Sequence, residues 1–320
     1  MPESYKSRSI APGKVVLWGE YAILDGAPAV TMAVNRYAIV ELVATSSGWE
    51  FVSSGFKTPG LHLFEKDFCS VPSAQFAELS LQQMGFKDFH APFSIHSDTS
   101  SFYHQNQKIG LGSSASLSTA TYHALATMLG IEASLETALE IHNSWQSGSG
   151  SGIDVATSWF GGTVTCQKKA NLIVNPFRLP DSLFWQIVWT GCTSDTRDQI
   201  KKFDALDRQK SKNTLDNLCL ASEQLNNGTV SLEALRHYKD CLEEFDKTGK
   251  LNIFTTEHQR LDRIAAQLGL VYKPCGAGGG DIGIAFANDA ESLAEFNEQI
   301  EDSEFIALDM EIAVDGITTT

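Results

Sequence analysis

Four stretches of this chain set small residues beside isolated charges. GLGSSAS, residues 110–116, is a glycine and serine loop running straight into a helical pattern. Glycine lets a backbone approach a ligand closely and take left-handed dihedrals. The first turn of a helix offers unpaired N–H groups and the positive end of its dipole. Gly110, Gly112, Ser113, Ser114, Ala115 and Ser116 are therefore a candidate anion site of the kind that takes nucleotide phosphates. The hydroxyls of Ser113 and Ser114 suit phosphate oxygens or a magnesium ion, and Lys108 stands at the mouth. An ordinary loop with a serine cap fits the same letters.

SGSGSGID, residues 147–154, leaves room for a ligand and leads to one carboxylate, Asp154. Phosphoryl transfer uses such a group to orient or deprotonate the attacking hydroxyl. A linker ending in an aspartate cap is the alternative. CGAGGGDIGIAF, residues 275–286, gathers five glycines around Ala277 and Asp281. It suits close approach to substrate or a tight strand connection. APGKVVLWGEYAILDG, residues 11–26, places Lys14 just before an apolar strand, where its ammonium can reach a phosphate. Glu20 and Asp25 in that stretch read equally as turn residues or surface charges.

The elements that must position these groups follow from periodicity. Residues 15–18 and 38–44 are rich in strand formers, with Asp25-Gly26 and Pro28 as turn residues between them. Residues 46–105 are weakly patterned: short strands and an amphipathic helix over 73–84. Leu117, Ala120, Ala124 and Met128 recur at helical spacing until Gly130, and a second helix covers 135–146. The spacing predicts a strand over 184–190 and a capping box at Thr196 and Gln199. It then predicts a mostly helical 197–267 broken near Asn226-Asn227-Gly228, and a capping box at Asn288 and Glu291. Residues 310–316 read as a late strand. Strands and helices mix without regular alternation, so the class is α+β.

The totals narrow the function. A chain of 320 residues holds one large domain or two ordinary ones. A formal charge of −15 argues against a nucleic-acid partner, though it permits a local cationic pocket. No apolar run approaches the length of a membrane span, and the start lacks the apolar segment of a secretory signal. Cys69, Cys166, Cys192, Cys219, Cys241 and Cys275 lack zinc-knuckle spacing and read as reduced thiols of a cytoplasmic protein. Neither GxGxxG near the start nor the Gly-Lys-Ser/Thr phosphate loop is present.

The four segments, in this order from Pro12 to Phe286, resemble the superfamily of galactokinase, homoserine kinase, mevalonate kinase and phosphomevalonate kinase. GEYAILDG, HNSWQSGSGSGID and GAGGGDIGIAF are most similar to its phosphomevalonate kinase branch. Mevalonate kinases commonly have a histidine at the position of Tyr21, and Ile282 stands where a cysteine is usual.

The resemblance implies a ribosomal-protein-S5-like N-terminal half, 1–183, and a ferredoxin-like C-terminal half, 184–320. It implies ATP and Mg2+ as cofactors and a small anionic metabolite as acceptor. The reaction implied is phosphoryl transfer to (R)-5-phosphomevalonate in the mevalonate pathway. Lys14 and Asp154 are then the catalytic pair. Lys108 and residues 110–116 hold the nucleotide, with Ser114 at the metal. Lys14, Tyr21, Ser149, Ser151, Gly152, Arg197, Gly276, Ala277, Gly278 and Gly279 hold the acceptor. Arg36 and Lys273 are further candidate cations for its two anionic groups. A mevalonate kinase, a diphosphomevalonate decarboxylase, another member of the superfamily and a non-catalytic metabolite binder stay open, as does a monomer or a homodimer.

Overall fold

The computed structural model describes residues 6–45, 49–55, 60–64, 72–86, 93–146, 148, 150–194 and 196–319, with backbone only for 60–64, 196 and 197. The chain opens with β1 (Lys6–Trp18), a 3-10 turn at Ala22–Asp25, and β2 (Pro28–Ala44). There follow β3 (Trp49–Ser54), β4 (Gly60–Phe64), α1 (Pro72–Gln83), β5 (Phe93–Asp98), β6 (Tyr103–His104) and β7 (Gln107–Lys108). Next come α2 (Ser113–Leu129), α3 (Leu135–Trp145), α4 (Ile153–Phe160), β8 (Thr163–Lys168), β9 (Leu172–Pro176) and β10 (Phe184–Trp189). The remainder is α5 (Thr196–Asp204), α6 (Arg208–Asn227), α7 (Leu232–Gly249), α8 (Thr256–Gln267), β11 (Val271–Pro274), β12 (Ile282–Ala287), α9 (Ala290–Ile300), β13 (Ile306–Leu308) and β14 (Thr318–Thr319). The expected α+β class is what is found.

Two compact units emerge, each from separate stretches of chain. The first is Met1–Lys14, Ala33–Gly162 and Ile312–Thr320; the second is Val15–Met32 and Thr163–Glu311. This differs from a single division at 183/184. The physical reason is pairing: β8 runs antiparallel to the start of β2, from Pro28↔Gln167 to Met32↔Thr163, so both stretches sit in the second unit.

In the first unit β2 pairs with β5, β5 runs parallel to β3, and β3 pairs with β4. Helices α1 to α4 pack on one another. Phe51, Phe76, Phe102, Ile95, Leu125 and Ile141 are fully buried there. Gly130 caps α2 in the left-handed conformation, its N–H donating to Ala126 and Thr127 carbonyls, as the sequence predicts. The strand expected over 310–316 is not formed. Ile312 makes one bridge, to Val34, and the neighbouring backbone bonds elsewhere. Ala313 N–H donates to Ala33 O (3.0 Å), Gly162 N–H to Ala313 O (2.7 Å) and Ile317 N–H to Trp159 O (3.2 Å). A Cβ on Gly316 would stand 2.1 Å from Trp159 O, and one on Gly161 2.3 Å from Asp315 C. Residues 312–319 thus clasp the C-terminal end of α4, and only glycine permits the fit.

In the second unit β11, β12, β10 and β13 form an antiparallel sheet. Val188, Tyr272, Ala285 and Ala287 of its strands pack with Leu261 and Ala265 of α8 and Leu293, Phe296 and Ile300 of α9. The helical break at 226–228 is real: α6 ends at Asn227. The cap of α9 is Asp289, whose side chain accepts from Ser292 N–H at 2.8 Å, in place of the Asn288 expected from spacing. Among the described residues no helix is long and apolar enough to cross a membrane. The five described cysteines are free thiols.

Candidate active site

In the first unit, Lys14 lies in β1 and its N–H donates to Leu111 O at 2.9 Å. That bond ties the lysine strand to the glycine-serine loop. Gly110 and Gly112 have φ of 87° and 79°, the left-handed region their lack of a side chain permits. Gly112 is the N-cap of α2, with no side-chain cap. The Lys14 side chain runs along it: a Cβ on Gly112 would stand 3.0 Å from Lys14 Cε and 3.1 Å from Cγ. The lysine stem is therefore held against the N-terminus of a helix whose first turn is rich in small residues.

That turn divides its labour. Ala115 and Ser116 both donate their N–H to Gly112 O, at 3.0 and 3.2 Å. Ser116 is fully buried, and its hydroxyl donates to Pro12 O at 2.8 Å, a carbonyl that also accepts from Ser158 Oγ at 2.7 Å. So Ser116 locks β1 to α2 and α4 through its hydroxyl, which faces inward, not toward a ligand. Ala115 is equally buried. Ser113 and Ser114 stand at the open start of the helix, where N–H groups lack intrahelical partners.

Ser114 Oγ lies 3.4 Å from His142 Nε2. His142 of α3 is almost wholly buried and packs against Phe76 and Trp145, which also touch each other. Burial lowers its pKa; the Asp154 carboxylate opposes that shift and Lys108 adds to it. Ser114, His142, Asp154 and Lys108 thus share one neighbourhood. Asp154 sits in the first turn of α4, and its Oδ1 accepts from Val155 N–H at 3.0 Å. The helix begins after Gly152 at φ 78°, with Ser151 and Gly152 half-buried beside it. Ser149 lies outside the described residues. Lys108 is exposed in β7.

In the second unit, loop residues 276–281 join β11 to β12. Gly276, Gly278, Gly279 and Gly280 all have positive φ, as does Asp281. Tyr21, expected against the acceptor, is tied to this loop. It is buried in a three-ring cluster with Phe203 and Phe245, and its hydroxyl donates to Ala277 O at 2.6 Å. Burial first, then the charges of Asp246 and Glu20, push its pKa well above the usual phenol value. Tyr21 therefore holds the glycine loop. Gly278 abuts Ile253, and Gly279 abuts Gln199 and Ser194.

Lys273, a candidate cation for the acceptor, is fully buried and donates to Glu20, which also accepts from Tyr238 at 2.8 Å. Its charge is spent inside the protein. Glu20 is neither turn nor surface residue. Arg36, in the first unit, is part-buried and donates to Asn35 O at 3.2 Å. Arg197 falls in α5, and its side chain lies outside the described residues. His142 carried a weak signal in sequence, a histidine three residues before Trp145 and ahead of a small-residue run. The pairing of Lys273 with Glu20 carried none, since 253 residues separate them.

Among the described residues no group of three or more His, Cys, Asp or Glu is placed to cage a metal. Magnesium bound by one or two protein oxygens plus phosphates needs no such cage. Ser114 Oγ and the Asp154 carboxylate are hard oxygen donors of the right kind, so the residues present fit that ion.

Residues 75–162 match the family model of the GHMP kinases N terminal domain. The chain shares its fold with solved structures: it superposes on a Lin0012 protein from Listeria innocua with a TM-score of 0.83 at 22% identity, covering 98% of this chain and 99% of that one. Streptococcus pneumoniae phosphomevalonate kinase, solved with phosphomevalonate and AMPPNP, superposes with a TM-score of 0.73 at 22% identity over 97% and 99% of the two chains. In sequence the chain is 26% identical to the phosphomevalonate kinase of Streptomyces sp. (strain CL190), over 96% of this chain and 97% of the relative. It is 28% identical to the mevalonate kinase of Pyrococcus furiosus, over 49% and 51%.

Proposed function

We propose that the protein transfers the terminal phosphoryl group of ATP to (R)-5-phosphomevalonate, giving 5-diphosphomevalonate and ADP. The observation that carries this reading is Lys14 lying along Gly112 at the N-terminus of α2. A cation and a row of open amides then converge where phosphate charge must be held. Similarity to a phosphomevalonate kinase along nearly the whole chain supports the choice of acceptor.

In this reading the amides at Gly112, Ser113 and Ser114 receive nucleotide phosphates, with Gly110 giving clearance and Lys108 adding positive charge. Ser114 Oγ would hold Mg2+, which when bound neutralises phosphate charge. An oxygen of the acceptor phosphate attacks the terminal phosphorus in line. The bond to the bridging oxygen breaks, and its electron pair leaves with ADP. Lys14 stabilises the charge that develops. A phosphate monoester, with a second pKa of about 6, is largely ionised at neutral pH and needs little base catalysis. Asp154 therefore orients the acceptor, beside Ser149, Ser151 and Gly152. Arg197 and the loop at Gly276, Ala277, Gly278 and Gly279 are the second unit's candidates for its anionic groups. A cytoplasmic monomer or homodimer fits this role.

The test is ADP release from ATP and magnesium against mevalonate, mevalonate 5-phosphate and mevalonate 5-diphosphate, with CO2 followed in parallel. Turnover of mevalonate 5-phosphate alone, without CO2, is expected. Turnover of mevalonate instead would overturn the acceptor and make Asp154 the base for an alcohol. CO2 from the diphosphate would make the protein a decarboxylase. Ligand-raised thermal stability without any turnover would make it a binder.

A further inference from the structure

The loop at residues 276–281 has almost no side chains with which to fix its own shape. Four of its six residues are glycines with positive φ, and Gly280 at φ 135° lies where other residues rarely go. Its conformation is imposed by donors outside it. Tyr21 hydroxyl donates to Ala277 O (2.6 Å), Ser194 hydroxyl to Gly278 O (2.7 Å), and Thr190 hydroxyl to Asp281 O (3.0 Å). A further anchor is an imidazole: His258 Nε2 lies 3.0 Å from Gly280 O.

His258 has no exposure to solvent. A carbonyl only accepts, so Nε2 carries the proton and Nδ1 accepts from Tyr272 hydroxyl, 2.8 Å away. That hydroxyl is itself wedged against Gly283, where a Cβ would stand 2.0 Å from it. Backbone N–H of His258 is held by the Thr255 cap of α8. The ring is therefore located from three directions. Burial lowers its pKa to about 4, which keeps this neutral form through neutral pH.

The peptide that His258 grips is held at both ends, since Asp281 N–H donates to Cys192 O at 2.7 Å. Gly279 N–H donates to Ile253 O at 3.1 Å. With these carbonyls and amides committed, the N–H groups of Ala277, Gly278 and Gly280 have no acceptor among the described residues. Backbone N–H groups gathered in a turn make anion-binding concavities.

We propose that His258 is a positioning residue for the acceptor: by donating to Gly280 O it fixes the glycine loop so that its uncommitted amides meet an anionic group, phosphate or carboxylate, of the substrate. This rests on the reading above, in which the loop serves the acceptor. His258 itself touches no substrate.

The experiment compares wild type with His258→Gln, which keeps a donor near the Nε2 position, and His258→Leu, which removes it. Two readouts are taken. Amide hydrogen exchange of the peptide spanning 276–281 reports on the loop in the ligand-free protein. Steady-state kinetics with ATP and each of the three acceptors report on function. His258→Leu is expected to speed loop exchange and to raise acceptor KM by about tenfold or more, with ATP KM within about twofold. His258→Gln is expected to restore most of both.

The proposal is overturned if His258→Leu leaves loop exchange and acceptor KM unchanged. It is also overturned if His258→Gln is as impaired as His258→Leu, or if exchange rises throughout the second unit, which marks a merely structural residue. Wild-type inactivity on all three acceptors refutes the kinase reading instead. Exchange then decides alone whether His258 holds the loop.

Discussion

Glu20 and Lys273 meet as an ion pair with neither side chain open to water. Tyr238 hydroxyl bridges the same carboxylate to the chain before it, since Gly19 N–H donates to that hydroxyl at 2.8 Å. The trio ties the segment carrying Tyr21 to the strand that enters the glycine loop. Removing one partner leaves the other charge buried and uncompensated, at a cost of about 3–5 kcal/mol. Glu20→Ala and Lys273→Ala are each expected to lower the unfolding free energy by that amount, read as a lower urea midpoint at unchanged m value. Glu20→Leu with Lys273→Met, which removes both charges, is expected to be more stable than either. Single variants within about 1 kcal/mol of wild type would contradict the closed environment described.

Gly112→Ala should harm activity more than stability. Its φ of 79° strains an alanine by about 1–3 kcal/mol. The new Cβ would also press on the Lys14 stem at 3.0 Å. Gly130→Ala supplies the control: φ is 69°, and nothing stands within 4 Å of its Cβ. Both variants are expected to lose similar stability by calorimetry. Only Gly112→Ala should lose activity, by about tenfold or more in kcat/KM.

Stability should fall as pH drops from about 6.5 toward 4, in part through His258. Its folded pKa is lowered to about 4 by burial, against the opposing pull of Gly280 O and Glu257, with Lys273 adding to the lowering. The unfolded chain binds the proton first, so this contribution is full above 6.5 and lost progressively down to about 4. It amounts to about 3 kcal/mol. Urea midpoints of wild type and His258→Gln, compared from pH 7.5 to 4.5, should converge as pH falls. Parallel curves would refute the assignment.

Tyr21→Phe keeps the ring packed on Phe203 and Phe245 and deletes only the bond to Ala277 O. The expected loss is about 1 kcal/mol of stability. Acceptor KM should rise while ATP KM holds. A change in ATP KM alone would assign the loop to the nucleotide.

The residues that bend the chain were the most legible. Gly110, Gly112 and Gly130 announce left-handed backbone by type, and all three adopt it. Helix α2 follows because its apolar spacing runs unbroken between two of them. Helix α4 was less visible: eight residues containing Ile, Val and Thr after a glycine-serine run look like linker, and only packing makes them helical. Residues 310–316 alternate as a strand does, yet their partners are the backbone at Ala33, Gly162 and Trp159, which no local pattern reveals. Charge partners were the least legible. Glu20 reads as a turn residue or surface charge and Lys273 as a cation for the acceptor, and only the folded chain brings them together.

The clasp of residues 312–319 on α4 sets a schedule for biogenesis. A ribosome has already made Lys14, Gly112 and Asp154 long before the segment that seals Gly161 and Trp159 leaves the exit tunnel. Co-translational assembly of the first unit must therefore wait through the synthesis of almost all of the second. During that interval the end of the aspartate-bearing helix lacks its cover, which is the window in which a chaperone would find it.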